Sequence, residues 1–232
     1  MANCYVCQGT DLKPLQYEGK PIHSKGAIQL CQGCGSLAFD RKVESEGALK
    51  EFYRKLYRPA PNVLNLLTTT NKLNYIRIFL ADYLKGKEGL VVGDVGCATG
   101  YVLNFFRQLG HRAFGAELTL TYRRFAEHYY GIPVAEDLPE KAYDLIVIYH
   151  VLEHLTEPDK SLAKYAGMLK PDGRLLIATP EWLDYIDEAS GLSFSGFEHL
   201  FHPHHINLFS KRSIQNLFAN AGLVVDKQDF IQ

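Results

Sequence analysis

Leu90-Val91-Val92-Gly93-Asp94-Val95-Gly96-Cys97-Ala98-Thr99-Gly100-Tyr101-Val102-Leu103 is the stretch on which the fold turns. An apolar run of buried-strand character reaches an acid, crosses a loop of small residues and enters an amphipathic helix. Glycine lets a backbone turn sharply and approach a ligand with no Cβ in the way. A helix start leaves N–H groups unsatisfied in the same space. A parallel α/β sheet builds nucleotide-type pockets from these parts, at the carboxyl ends of its strands. Here the glycines fall at Gly93, Gly96 and Gly100, which is not the G-x-G-x-x-G spacing of a dinucleotide site. Asp94, inside the motif, repels a pyrophosphate and suits a cationic ligand.

Downstream, strands and helices alternate. The pattern predicts strands at 90–95, 113–116, 133–135, 144–149 and 174–179, and helices at 101–109, 120–130, 159–169 and 211–221. Lys170-Pro171-Asp172-Gly173 reads as a tight turn, and Leu223-Val224-Val225 as the opening of a further strand. Such alternation gives an α/β fold, a parallel sheet covered by helices on both faces. Upstream, Glu46 to Tyr57 reads as a helix broken by Arg58-Pro59-Ala60-Pro61-Asn62, and Asn71 to Leu84 as a second amphipathic helix.

Four of the five cysteines fall in two Cys-x-x-Cys pairs, Cys4/Cys7 and Cys31/Cys34. Each pair places two thiolates in one tight turn, and two such turns close a tetrahedral four-sulfur site, so structural Zn²⁺ is expected. The 23 residues between Cys7 and Cys31 suffice for a short hairpin, too small to fold without the metal. The expected organisation is a zinc-ribbon-like module over residues 1–45, a linker helix over 46–70 and the α/β domain over 71–232.

At 232 residues and 47% hydrophobic, the chain can bury one sizeable core beside a small module. A net charge of −1 without a Lys/Arg run argues against a nucleic-acid surface. No apolar run approaches the roughly 18 residues of a membrane span. Met1-Ala2-Asn3-Cys4 lacks a secretory signal, so a cytoplasmic protein is expected.

Three motifs carry a resemblance. Asp94-x-Gly96-x-x-x-Gly100 resembles motif I of the class I S-adenosylmethionine-dependent methyltransferases, which have a Rossmann-like sheet. The run from Tyr143 to Leu155, with Glu153-His154 near its end, resembles their fourth-strand motif, and that from Leu169 to Pro180 their fifth. The four-cysteine module in front is similar to that of zinc-knuckle methyltransferases of bacterial sugar and polysaccharide pathways. The chain departs from the pattern at Ala98, where the family has a glycine. It also stops at Asp229-Phe230-Ile231-Gln232, which leaves the last antiparallel strand apparently missing.

The resemblance implies S-adenosyl-L-methionine as cofactor and a small-molecule acceptor, a sugar or nucleotide-linked sugar. Asp94 would help hold the ammonium end, with the backbone of Gly96, Cys97, Ala98 and Gly100 along the methionine and ribose. Glu117, with Leu118 beside it, would take the ribose hydroxyls. Glu136 or Asp137, with the Leu138 N–H, would meet the adenine, and Tyr149 and His150 would lie under the methyl group. Cys97 reads as a small loop residue rather than a nucleophile. Glu153 and His154 are candidates for acid/base work, with His150, which shares a helical face with His154 if residues 152–156 turn as an α-helix. His199, His202, His204 and His205 form a second polar cluster, open to substrate, packing or metal roles, and Ser210 reads as the cap of the last helix. Residues 182–194 read as a lid or substrate wall. Two other functions compete: a zinc-ribbon RNA methyltransferase, and a non-catalytic cofactor-binding partner protein.

Overall fold

The computed structural model describes residues 3–4, 6–14, 16–17, 20–21, 27–40, 46–55, 63–180, 186–187, 191–192 and 205–227. The sequence-based expectations for Arg58 to Asn62, for residues 182–185, 188–190 and 193–194 of the expected lid, for His199, His202 and His204, and for the last five residues lie outside them. The chain divides into two compact units: Met1–Glu44 with His150–Gly167 and Ala178–Gln232, and Ser45–Tyr149 with Met168–Ile177.

The first unit begins with β1 (Leu12–Pro14), β2 (Gln16–Tyr17), β3 (Lys20–Pro21), β4 (Ala27–Cys31) and β5 (Leu37–Asp40). The second contains α1 (Glu46–Lys55), α2 (Val63–Phe79), α3 (Ala81–Leu84), β6 (Val91–Val95), α4 (Tyr101–Gln108), β7 (Arg112–Ala116), α5 (Leu120–Tyr130), β8 (Val134–Ala135) and β9 (Tyr143–Tyr149). A 3₁₀ turn (Leu152–His154) and α6 (Pro158–Gly167) belong to the first unit, and β10 (Leu169–Ala178) closes the sheet of the second. The first unit ends with β11 (Ile186–Asp187), β12 (Gly191–Leu192), β13 (Asn207–Leu208) and α7 (Lys211–Asn220).

In the second unit five strands run in the order β10-β9-β6-β7-β8. The β9–β6, β6–β7 and β7–β8 pairs are parallel. β10 ascends with β9, for Tyr143 N–H bonds the Met168 carbonyl and His150 N–H the Ala178 carbonyl. That interval covers seven steps on β9 and ten on β10. The surplus lies around Lys170-Pro171-Asp172-Gly173, where the chain folds back as the expected turn: a Cβ on Gly173 would stand 3.0 Å from both Leu169 Cβ and Lys170 N. The fully buried run Leu145-Ile146-Val147-Ile148 marks a strand covered on both faces. Ile76, Leu80, Val92, Val102, Phe106, Leu145, Val147 and Leu176 form one core cluster. At the amino ends of the strands, Asp144 accepts from the Val91 N–H (2.7 Å) and Lys170 Nζ (2.7 Å), pinning the start of β6 beside β9.

Three expectations shift. The helix expected from Asn71 begins at Val63 and breaks before Ala81. α6 ends at Gly167, because Leu169 already belongs to β10. Leu223–Val225 carries no strand, and Val224 is 92% exposed. An apolar triplet with no partner edge has nothing to pair with.

In the first unit β1, β4, β5 and β13 form an antiparallel sheet in that order. Among the described residues no helix is long and apolar enough to cross a membrane.

Candidate active site and cysteine centre

β6 delivers Asp94 fully buried to its carboxyl end. The chain then turns through Gly96–Gly100, and α4 starts after Gly100, whose φ of +78° needs a glycine. The Gly96 and Cys97 N–H groups both donate to the Ala116 carbonyl, at 2.8 and 3.0 Å, tying the loop to the end of β7. Glu117 follows that strand and clamps the loop from the other side. Its carboxylate accepts from the Ala98 N–H (3.0 Å) and from the Thr119 N–H at the start of α5 (2.7 Å).

Ala98 sits at φ +48°, in the left-handed region. That conformation costs a residue with a Cβ about 1–2 kcal/mol, whereas glycine's extra chain entropy costs about 0.5–1 kcal/mol. Ala98→Gly is therefore expected to stabilise the protein by about 0.5–1 kcal/mol. Gly100→Ala should do the opposite. Its Cβ would stand 2.7 Å from the Ala126 Cβ at a left-handed φ, costing about 2 kcal/mol or more. Urea unfolding midpoints of the two variants check both signs.

Lys72, on α2, is the site residue that sequence reasoning missed. Its Nζ lies 3.2 and 3.5 Å from the two Asp94 oxygens and 5.4 Å from the centre of the Tyr149 ring. Burial raises the Asp94 carboxyl, and the Lys72 charge works against that rise. A single lysine near an expected helix start carries no signal of its own.

The two acids after β8 already have protein partners. Glu136 pairs with Arg54 (2.6 Å) and Arg123 (3.2 Å), and the Arg54 hydrogen bond holds its carboxyl below the usual range. Asp137 Oδ1 accepts from the Leu138 N–H at 2.8 Å. Cys97 is buried against Leu103 and Ile132, and burial pushes its thiol up, away from nucleophilic thiolate chemistry.

The acid/base candidates lie in the first unit. His150, immediately after β9 in the chain, is left-handed at φ +55°. Its Nδ1 lies 3.0 Å from Glu153 Oε1, and the Thr179 hydroxyl donates to Glu153 Oε2 at 3.2 Å. The expected α-helical pairing of His150 with His154 does not form. Residues 152–154 are a 3₁₀ turn, which brings His150 over Glu153 instead. His154 meets His205, with ring centres 4.8 Å apart. Donor atoms of Glu153, His154 and His205 all lie within 4.8 Å of one another. That set could accept a cation, but both Glu153 oxygens already accept hydrogen bonds, which favours an orienting carboxylate.

Burial alone would raise the fully buried Glu153. The His150 hydrogen bond and the charges of His154 and His150 outweigh it and hold the carboxyl below its ordinary value of 4.5. A depressed carboxyl contributes stability above its unfolded value and loses it as pH falls through the folded one. Stability is thus expected to fall as pH drops below about 4.5, and more shallowly in Glu153→Gln. Thermal unfolding between neutral pH and pH 3 reads the difference.

Cys4, Cys7, Cys31 and Cys34 converge with all four sulfurs within 4.8 Å. Cys4 and Cys34 are 3.6 Å apart, Cys7 and Cys31 3.5 Å. Tetrahedral coordination at a Zn–S length of 2.3 Å sets sulfurs about 3.8 Å apart, so the residues fit such an ion. The two knuckles repeat one pattern. Gln8 N–H bonds the Cys4 carbonyl and Gly35 N–H the Cys31 carbonyl, each at 2.8 Å, with Gln8 at φ +59° and Gly35 at +76°. The hydrogen bond between Cys4 and Cys34 holds Cys4 down to about 4 and pushes Cys34 up.

Residues 69–228 match the family model described as a methyltransferase domain, and the chain belongs to that family. The ubiquinone biosynthesis O-methyltransferase of Chelativorans sp. (strain BNC1) is 28% identical over 177 residues, 66% of this chain and 69% of that protein. The chain spans 40% of the length of the Rhodopseudomonas palustris proteins of the same name that it matches. Among solved structures, the magnesium protoporphyrin IX methyltransferase of Synechocystis PCC 6803 superposes with a TM-score of 0.55, at 15% identity over 76% of this chain and 88% of that one. A chain from the complex between the Haloferax volcanii Trm112 methyltransferase activator and a putative methyltransferase gives 0.56, at 21% identity over 78% of each. The fold is the Rossmann-like α/β fold of such methyltransferases.

Proposed function

We propose that this protein transfers a methyl group from S-adenosyl-L-methionine to a small-molecule acceptor, with a structural Zn²⁺ on its four clustered cysteines. The observation that carries the reading is the Gly96–Gly100 loop, held open by the Glu117 carboxylate beside the buried Asp94. Lys72 and Asp94 together present an ammonium and a carboxylate, the complement of a zwitterionic amino-acid tail. Glu117 accepts two backbone N–H bonds, and a carboxylate offers about four acceptor positions, enough to serve the ribose diol as well. Asp137, Glu136 and the Leu138 backbone would border the adenine, and Leu118 and Tyr149 the body of the cofactor. When bound, that cofactor supplies an electrophilic methyl group on a sulfonium.

The protein's remaining task is to orient the acceptor and take its proton. We assign the proton to His154, with Glu153 orienting the turn through His150. A hydroxyl on a sugar or nucleotide-linked sugar is the acceptor we favour, given the cysteine module. The ubiquinone O-methyltransferase relatives favour a second reading, in which the hydroxyl is phenolic. Cysteines that serve a metal rather than disulfides suit a reducing, cytoplasmic setting.

Incubation of metal-replete protein with methyl-labelled cofactor and fractionated metabolites, polysaccharide and RNA tests the reading. Label in a sugar fraction supports it, label in a phenolic fraction selects the second acceptor, and label in RNA overturns the small-molecule assignment. Saturable heat on titration with S-adenosylhomocysteine is expected, and its absence would reject the cofactor itself.

A further inference from the structure

We infer that the cysteine module is the positioning frame for the Glu153–His154 turn, and that Asn207 is the positioning residue joining the two. Five consecutive residues, Ile206 to Ser210, carry the connection, all within the first unit. On the module side, β13 pairs with β5, Asn207 opposite Ala38 and Leu208 opposite Leu37. Ser210 Oγ donates to the Cys34 carbonyl at 3.0 Å, and the Arg212 guanidinium donates to the Gly33 carbonyl. Cys34 and Gly33 lie in the knuckle between β4 and β5, which the metal would fix. On the turn side, the Asn207 amide donates to the Leu155 carbonyl at 2.6 Å and lies 3.5 Å from the Leu152 carbonyl. The Ile206 N–H donates to the Glu153 carbonyl itself at 2.8 Å.

Asn207 is 3% exposed, and its side-chain amide is directed at the carbonyls that bracket the 3₁₀ turn. A buried amide is costly unless its donors are used. Here they fix where the turn holds Glu153 and His154, while His205, next to Ile206, meets the His154 ring. The path from Cys34 through β5 and β13 to Glu153 is continuous. A zinc ion would add no chemistry of its own, but would hold a catalytic segment far from it in the chain.

This inference rests on the reading of Glu153 and His154 as acid/base groups, and its test does not require the acceptor. The four-sulfur site is loaded with ¹¹³Cd, and the ring ¹⁵N signals of His150, His154 and His205 are recorded by NMR. They are compared in wild type, in Asn207→Ala and after chelation. Asn207→Ala should keep the ¹¹³Cd signal and move the His154 and His205 ring signals, and chelation should move the same signals. Affinity of the wild type for S-adenosylhomocysteine, measured by calorimetry, reports on the functional reading separately. Ring signals that superimpose on wild type in either arm overturn the inference. If wild type binds no S-adenosylhomocysteine, the functional reading fails, and the ring signals still report on the coupling.

Discussion

Asp94→Ala is expected to lose S-adenosylhomocysteine binding by about 100-fold or more, and to cost the fold about 3–5 kcal/mol, the price of removing one partner from a buried ion pair. The Lys72 side chain is only 12% exposed, and the variant leaves its ammonium facing an apolar gap. Lys72→Met exposes the other half of the problem. It strands a fully buried carboxylate that burial already raises. An acid whose value is raised on folding costs stability as pH climbs from its unfolded value, near 4, through the raised folded value. Lys72→Met should therefore be less stable at pH 7 than at pH 5. The double variant should be less damaged than the sum of the two, since neither charge is then left alone. Calorimetry with S-adenosylhomocysteine and denaturant midpoints at the two pH values measure all three.

Removal of the metal is the second large effect. Structural zinc in small modules contributes an apparent 10–16 kcal/mol or so at neutral pH. Chelation, or Cys34→Ser, is expected to melt the sheet formed by β1, β4, β5 and β13. Cys31 and Cys34 are both within 1% of full burial, so four sulfurs left without an ion would be packed against one another away from water. Metal analysis of the purified protein is expected to give one ion per chain. Amide hydrogen exchange should show protection lost at Ile28 and Leu37 and kept at Leu145 and Ile148 of the other sheet. Equal protection with and without metal would show that the thiols have no structural ion to lose.

The glycine loop and the cysteine knuckles were readable in the sequence because each depends on local geometry that only certain residues allow. The apolar run of β9 was readable because a strand buried on both faces cannot disguise itself. The Ser210 cap was equally local, and Ser210 and Ser213 form a reciprocal capping box. What escaped was contact across distance. The Lys72–Asp94 pair joins residues on different elements, and a lysine on a helix ordinarily faces water. His205 meets His154 because β13 carries it there, a pairing that no periodicity encodes.

The hydrogen bond from Ser210 to Cys34 spans 176 residues. On the ribosome, Cys34 emerges long before Ser210 exists. At elongation rates of 5–20 residues per second, the wait is roughly 10–35 s. Throughout it β5 has an open edge, of the sort that recruits other chains. An ion captured early by the nascent knuckles would shorten the loose segment, yet the sheet would still lack its fourth strand until Asn207 and Leu208 have emerged. Expression in zinc-poor medium should therefore yield aggregate before it yields soluble apoprotein.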